Sequence, residues 1–378
     1  MKEICKKNDC CGCMACLNRC PKNAIKCIEN ELYPIIEEKK CVDCGICRKI
    51  CEKSIKPKRT LEYIAAKMKQ KEERNNSASG GFFYVLAKYV LNNNGVVYGA
   101  SYDNDFMVKH IKVDNLADLE KLRKSKYVQS QIGQSYKMAE TDLCEGRLVL
   151  FSGTPCQIAG LYKYLKKDYD NLLTMDLICH GVPKNKYYKD YLEFLEIKNN
   201  SKIANIDFRY KNGLSTSNIL VNFKNGTKYF GDDKQDLFRR LYLKNLILRS
   251  SCYSCKYSTI NRISNFTAGD CWRIDEIKPS FNQKDGVSLV LINDKKAQNI
   301  WNLIKQEFDV LSITKENCIQ SGLKGPGRTM ENLKRFERIY NKCGFEKTAL
   351  KYKKTKISTK IIFKIKKIGL DVYGRIKN

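Results

Sequence analysis

The sequence predicts a mixed α/β protein: a small cysteine-rich domain, a larger α/β body and a basic C-terminal helix. Three observations carry this. Eight N-terminal cysteines fall in two copies of one spacing. Apolar runs at Leu148–Ser152 and Leu172–Ile178 each end in a small-residue loop, as buried strands of an open sheet do. Ile357, Ile361, Ile365, Ile368, Val372 and Ile376 share one helical face in a Lys-rich run. The 378 residues are 43% hydrophobic and 29% charged, a folding composition long enough for two or three domains. The expected divisions are 1–56 (cysteine repeat), 57–76 (linker helix), 77–160 and 161–345 (two parts of the body) and 346–378 (basic tail).

The repeat comes first. Cys10, Cys13, Cys16 and Cys20 read C-x2-C-x2-C-x3-C, as do Cys41, Cys44, Cys47 and Cys51, 31 residues on. This is the bacterial dicluster ferredoxin spacing, in which the fourth cysteine of each copy ligates the other cluster. The expected ligand sets are Cys10, Cys13, Cys16 and Cys51 for one [4Fe–4S] cluster, and Cys41, Cys44, Cys47 and Cys20 for the second. Zinc ribbons also use C-x2-C pairs but rarely a third evenly spaced cysteine. Gly12 and Gly45 allow close approach of the backbone, and Pro21 starts a turn after a fourth ligand. Glu52 stands where a second proline is usual. Cys11 and Cys27 fit neither copy and read as ordinary thiols. Such a module moves single electrons, and the rest of the chain must say what they are for.

In residues 53–76, Leu61, Ile64, Ala65 and Met68 recur at helical spacing and predict a connecting helix. Asn75–Gly81 is rich in turn formers and opens a helix at Phe82–Leu91. Such a loop is either a simple helix start or an anion site, since free backbone N–H groups sit at the positive end of the helix dipole. A strand at Gly95–Ala100 follows. The 148–152 strand ends in Gly153-Thr154-Pro155-Cys156, and the 172–178 strand in Cys179-His180-Gly181-Val182-Pro183. Carboxyl ends of strands are where open α/β sheets build their sites. With Cys252 and Cys255 these cysteines make four thiols. If they meet, they suit a structural zinc or a third [4Fe–4S] cluster; if not, they are buried thiols.

Six collinear segments then resemble one family: Ser77–Phe83, Ser125–Ser130, Phe151–Gln157, Asp176–Pro183, Cys252–Cys255 and Gly269–Trp272. Together they resemble the coenzyme F420 hydrogenase/dehydrogenase beta-subunit family, in its bacterial form with an N-terminal dicluster ferredoxin domain. The resemblance implies an FAD-binding α/β body with a cluster near the flavin, ligated by Cys156, Cys179, Cys252 and Cys255. It also implies flavin contacts from Ser79, Gly80, Gly81, Lys126 and Tyr127, with Gly153 and Thr154 beside them. Lys124 replaces a usual glycine, and Asn265 stands where Asp is common. The implied activity is an oxidoreductase joining one-electron clusters to two-electron flavin chemistry, on an organic substrate or on coenzyme F420, with some relatives tied to surface-polysaccharide synthesis. The alternative is an electron-transfer subunit feeding a partner enzyme. His180, beside Cys179, is either a proton carrier or a structural loop histidine.

Lys plus Arg number 70 against 41 Asp plus Glu, a net charge of +29. The basic residues are spread along the chain rather than gathered in a recognition motif, and thiolate-bound clusters are anionic, so nucleic acid is not an expected partner. A redox partner protein or low-potential electron donor is. The 19 cysteines, an odd number in metal-type spacings, and the lack of an apolar leader point to a reducing cytoplasm. The tail reads either as a terminal helix or as a peripheral anchor at the inner membrane face.

Overall fold

The computed structural model describes residues 3–28, 31–211, 218–233, 235–326 and 330–353. The fold is mixed α/β. Strands β1 (Ile25–Ile28) and β2 (Tyr33–Ile36) pair antiparallel in the N-terminal module, beside helices Ala15–Arg19 and Ile46–Glu52. β3 (Glu62–Met68), β4 (Val96–Tyr102), β5 (Val108–Val113), β6 (Val149–Gly153) and β7 (Leu172–Leu177) begin the body. β8 (Ile203–Tyr210), β9 (Asn218–Phe223) and β10 (Lys228–Gly231) form an antiparallel three-stranded sheet. β11 (Phe266–Asp270), β12 (Ser288–Ile292) and β13 (Phe308–Ser312) complete an eight-stranded sheet ordered β13-β3-β12-β11-β7-β6-β4-β5.

The middle of that sheet, β11-β7-β6-β4, is parallel, and the remaining pairs are antiparallel. The carboxyl ends of β6, β7 and β11 therefore share one edge. β3 ends there too, because Ala66 pairs with Ser288 and Ser288 with Asp270. Loops after these strands build the site, as open α/β sheets require.

Helices Phe82–Asn92 and Lys295–Ile304 cover one face around Phe82, Leu86, Val90 and Trp301. Helices Ser135–Cys144 and Pro155–Leu165 cover the other. The N-terminal module packs onto that second pair, giving Met14, Ala15, Leu32 and Ile50 to the same core. Helices Asn185–Asn199 and Leu237–Leu243 and the Met330–Lys353 segment, kinked at Gly344, close over the three-stranded sheet.

Residues 62–68 correct one expectation. The segment expected to be a linker helix is a strand near one edge of the large sheet, between β12 and β13. Ile64, Ala65 and Ala66 are all buried, because a strand covered on both faces has no polar side. Three consecutive buried residues suit a doubly covered strand better than a helix with one apolar stripe. The expected strands at 95–100, 148–152 and 172–178 and the helix at 82–91 lie within a few residues of those observed. The amphipathic tail falls almost entirely beyond residue 353, outside the described residues. Among the described residues, no helix is long and apolar enough to cross a membrane.

Candidate redox site

Cys20, Cys41, Cys44 and Cys47 line one small cavity of about 30 Å³ in the N-terminal module. Its shape follows from local backbone. Gly45 has φ 69° and starts helix Ile46–Glu52, turning Cys44 and Cys47 to the same space. The Ala24 amide donates to the Cys20 thiol at 3.3 Å.

Cys10, Cys13, Cys16 and Cys51 line a second cavity of about 290 Å³, together with Cys5, Cys11 and Cys255. Each of the two cavities thus holds three cysteines of one copy and the fourth of the other. Gly12, at φ 66°, has no room for a side chain: a Cβ would lie 2.9 Å from Arg249 Nη2 and from the Leu32 carbonyl oxygen. The Cys51 thiol is lowered to about 7, first by a hydrogen bond from Cys5 and then by the charges of Lys163 and Lys256. Cys10 is also lowered, chiefly by the Cys5 hydrogen bond. Burial raises Cys16. A thiolate is the ligating form, so the cations near Cys10 and Cys51 favour metal binding.

The module is fastened to the body beside this cavity. Arg249 Nη2 donates to the Cys10 carbonyl at 3.1 Å and the Leu32 carbonyl at 3.2 Å. Lys163 Nζ donates to the Cys51 carbonyl at 2.7 Å, and Gln129 Nε2 to the Cys11 carbonyl at 2.8 Å. Gly160 lets helix Pro155–Leu165 come close: a Cβ there would stand 2.8 Å from Cys13 Cβ and 2.7 Å from Tyr136 Oη.

The third group of thiols is only partly assembled by direct contact. Cys156, in the first turn of helix Pro155–Leu165, lies within hydrogen-bonding reach of Cys11 and feels the charge of Cys255. Thr154 Oγ1 is 3.1 Å from its sulfur. Cys252 rests against the loop after β7, its sulfur 3.5 Å from the Val182 amide nitrogen, three residues beyond Cys179. The loops carrying 179–182 and 252–255 thus meet at the sheet edge, and Cys156 lies near enough to Cys255 to feel its charge. Among the described residues no three His, Cys, Asp or Glu side chains form a group tight enough for a single metal ion.

Next to Thr154 opens a cleft of about 150 Å³. Gly81, Lys126, Gly153 and Thr154, expected from sequence, line it, with Tyr84, His110 and Arg123 beside them. The first turn of helix Phe82–Asn92 begins at its wall and presents backbone N–H groups that no preceding turn can bond. Arg123 sits 4.0 Å over the Tyr84 ring and donates to Ser77 Oγ at 2.8 Å. Lys126 donates to the carbonyls of Lys121 (3.0 Å) and Arg123 (2.7 Å), and burial lowers its ammonium to about 7.

Ser79 and Gly80 do something else. The Gly80 amide donates to Ser288 Oγ at 2.9 Å, and its missing Cβ would lie 2.3 Å from the Ala66 carbonyl oxygen. Ser79 Oγ donates to the Val287 carbonyl at 2.8 Å. These two residues pin the loop to the sheet so that Gly81 and the helix start face the cleft. Tyr127 turns away as well: its ring lies under Arg239 at 5.0 Å and its hydroxyl accepts from Arg209 at 3.3 Å. Arg209 in turn grips Asp270 with two bonds of 2.8 and 2.6 Å. Asp270 belongs to a segment carrying the family resemblance, and its carboxyl is held low, against burial, by Arg209.

His180 does not line the cleft; its ring lies 4.9 Å from Tyr242. The histidine in the cleft wall is His110, stacked on Phe151. Its Nδ1 is 2.7 Å from Ser130 Oγ and its Nε2 is 2.8 Å from the Ser152 carbonyl oxygen. The carbonyl only accepts, so Nε2 carries the proton and Nδ1 accepts from Ser130. Burial pushes its pKa down to about 4, so the ring is neutral near pH 7. Sequence reasoning passes over His110, Arg123 and Cys5, and reads Cys11 as an ordinary thiol. Only Cys11 carried a signal, its place beside Cys10.

The fold and site define an α/β body whose sheet edge carries a cleft lined by Arg123 and Lys126, near a cysteine-rich module. Residues 146–316 match a family described as the C terminus of the coenzyme F420 hydrogenase/dehydrogenase beta subunit. That span runs from before β6 to beyond β13 and contains Cys156, Cys179, Cys252 and Cys255. No curated protein matches the chain. Among solved structures, a chain from the xenon-derivatized F420-reducing [NiFe] hydrogenase complex of Methanosarcina barkeri is similar over 76% of this chain and 93% of its own. It shares 17% identity, with a TM-score of 0.47.

Proposed function

We propose that this chain is an iron–sulfur flavoprotein oxidoreductase that passes electrons between an N-terminal dicluster module and a flavin in the α/β body. The observation that carries the reading is the position of residues 154–156: Thr154 lines the cleft, while Cys156 stands among the thiols facing the module. One short turn thus separates the two environments. The crossed cysteine sets of the two module cavities fit two [4Fe–4S] clusters, as four thiols with local turns and nearby cations should. Cys156, Cys255, Cys179 and Cys252 fit a third. The first turn of helix Phe82–Asn92, with Gly81, Arg123 and Lys126, suits the diphosphate of FAD.

Bound flavin would accept or give two electrons together and exchange them singly with clusters. The protein's own residues do the rest. Ser79 and Gly80 hold the loop against the sheet, Arg123 is itself paired with Glu73 at 2.7 Å and Glu120 at 2.5 Å, Lys126 gains charge when an anion binds, and Gln157 fixes Thr154 by accepting from its amide at 3.0 Å and its hydroxyl at 3.1 Å. His110 presents a neutral ring held by two partners. His180 keeps its proposed role as a proton carrier beside Cys179. His180→Gln should then slow flavin reoxidation with iron content unchanged, and unchanged turnover removes it from the mechanism.

The matching family is described as a beta subunit, which favours a second form of the same reading: a subunit feeding a partner enzyme. Whether the acceptor is an organic molecule, F420 or a partner protein follows from which one reoxidises the reduced protein. An anaerobic dithionite titration tests the core proposal by counting electrons. Three clusters and one FAD take up about five per chain; an uptake of about two, with no flavin bleaching, leaves a dicluster carrier without a flavin site.

A further inference from the structure

Cys11 stands outside both cysteine repeats, yet the fold does not bury it as an ordinary apolar thiol. The left-handed turn at Gly12, φ 66°, leaves Cys11 lining the second module cavity beside Cys10 and Cys13. Its thiol neighbours Cys13 of the module and Cys156 of the body. Cys255, on the body, also lines this cavity. The position is held from both sides: Gln129 Nε2 binds the Cys11 carbonyl at 2.8 Å, and Arg249 binds that of Cys10 at 3.1 Å.

We propose that Cys11 is a ligand of the third cluster, which is therefore built across the junction of module and body rather than within the body alone. This rests on the reading of a third [4Fe–4S] centre given above. The module cluster already has Cys10, Cys13, Cys16 and Cys51 for its four iron atoms, so Cys11 is surplus to it. The junction set becomes Cys11, Cys156, Cys255 and one thiol of Cys179 and Cys252. Two consequences follow. Cys10 and Cys11 are adjacent, so successive centres are joined through one peptide unit. The junction cluster also cannot assemble unless the module is docked.

The test uses the full chain, purified and reconstituted anaerobically, as wild type, Cys11→Ser, Cys11→Asp, Cys156→Ser and the control Cys27→Ser. Iron per chain and low-temperature electron paramagnetic resonance are measured. The proposal expects Cys11→Ser and Cys156→Ser to fall alike from about twelve irons to about eight, with the same resonance lost. Cys11→Asp, which keeps an anionic donor, should retain iron with an altered resonance. Cys27→Ser should match wild type. If Cys11→Ser and Cys11→Asp both keep about twelve irons and the wild-type spectrum while Cys156→Ser loses four, the proposal is overturned and the third cluster stands. If wild type itself holds only about eight irons, the underlying reading fails, and this proposal with it.

Discussion

In the α/β body, Phe82 packs its ring 5.3–6.2 Å from those of Phe266, Trp301 and Phe308, inside a core of two dozen buried residues. The N-terminal module has a far smaller core of its own: Ile4, Cys16, Ile25 and Ile36, ringed by Leu17, Cys20, Cys41, Cys47 and Cys51. The body can be held by apolar burial. The module places thiols where a domain of its size would need hydrophobes, and borrows the rest from the body through Met14, Ala15, Leu32 and Ile50. On the proposed reading, the difference separates what bound clusters would support from what packing supports.

The largest effect should come from removing iron. If the module thiols ligate clusters as proposed, so small a domain would depend on its metal to fold. Anaerobic chelation should open residues 3–53 to proteolysis and hydrogen exchange while the body strands stay protected. Loss of protection in both parts at once would show that the body is not independent.

Asp270→Asn acts on the body instead. It removes the charge from a half-buried bidentate pair with Arg209, whose hydrogen bonds to a charged partner are worth about 1.5–3 kcal/mol. Thermal denaturation of the body should shift down with FAD binding weakened, because Asp270 lies beside the Ser79–Gly81 loop. Iron in the two module cavities should be retained.

Gly160→Ala strikes the junction. Its new methyl group meets Cys13 and Tyr136 at under 3 Å, an overpacking that costs about 1–3 kcal/mol. The expected outcome is a module that opens at lower denaturant than the body. A single unchanged transition would mean that helix Pro155–Leu165 yields easily.

The smallest effect is in pH. Burial lowers Lys126 to about 7, with Asp207 opposing. An anionic cofactor in the cleft favours the protonated form, so binding takes up a proton once the pH exceeds 7. FAD affinity should be flat below that pH and weaken above it by at most about tenfold per unit. In Lys126→Met the affinity should be lower and the slope lost. Without cofactor the sign reverses for folding: between pH 7 and the ordinary lysine value of about 10.4 the unfolded chain binds more protons, so stability from this group rises with pH.

The repeat, the strand ends at Gly153 and Leu177 and the helix after Gly81 were legible because each is written locally. Cysteine spacing, apolar runs and small residues at turns need no distant partner. Residues 62–68 were misread because Leu61, Ile64, Ala65 and Met68 also fit a helical stripe; only pairing with β12 and β13, more than 200 residues away, makes them a strand. Sequence cannot show that the Val287 carbonyl and Ser288 engage the Ser79 hydroxyl and the Gly80 amide. His110 and Arg123 sit in no cofactor motif. They reach the cleft because β5 runs at the end of the sheet and the segment after it folds back across the edge.

Iron, acid-labile sulfide and flavin per chain in anaerobically purified protein test the central claim most directly. The account predicts about twelve irons, an equal amount of sulfide and one FAD. About eight irons without flavin would contradict it, leaving a dicluster module on a body that carries no redox centre.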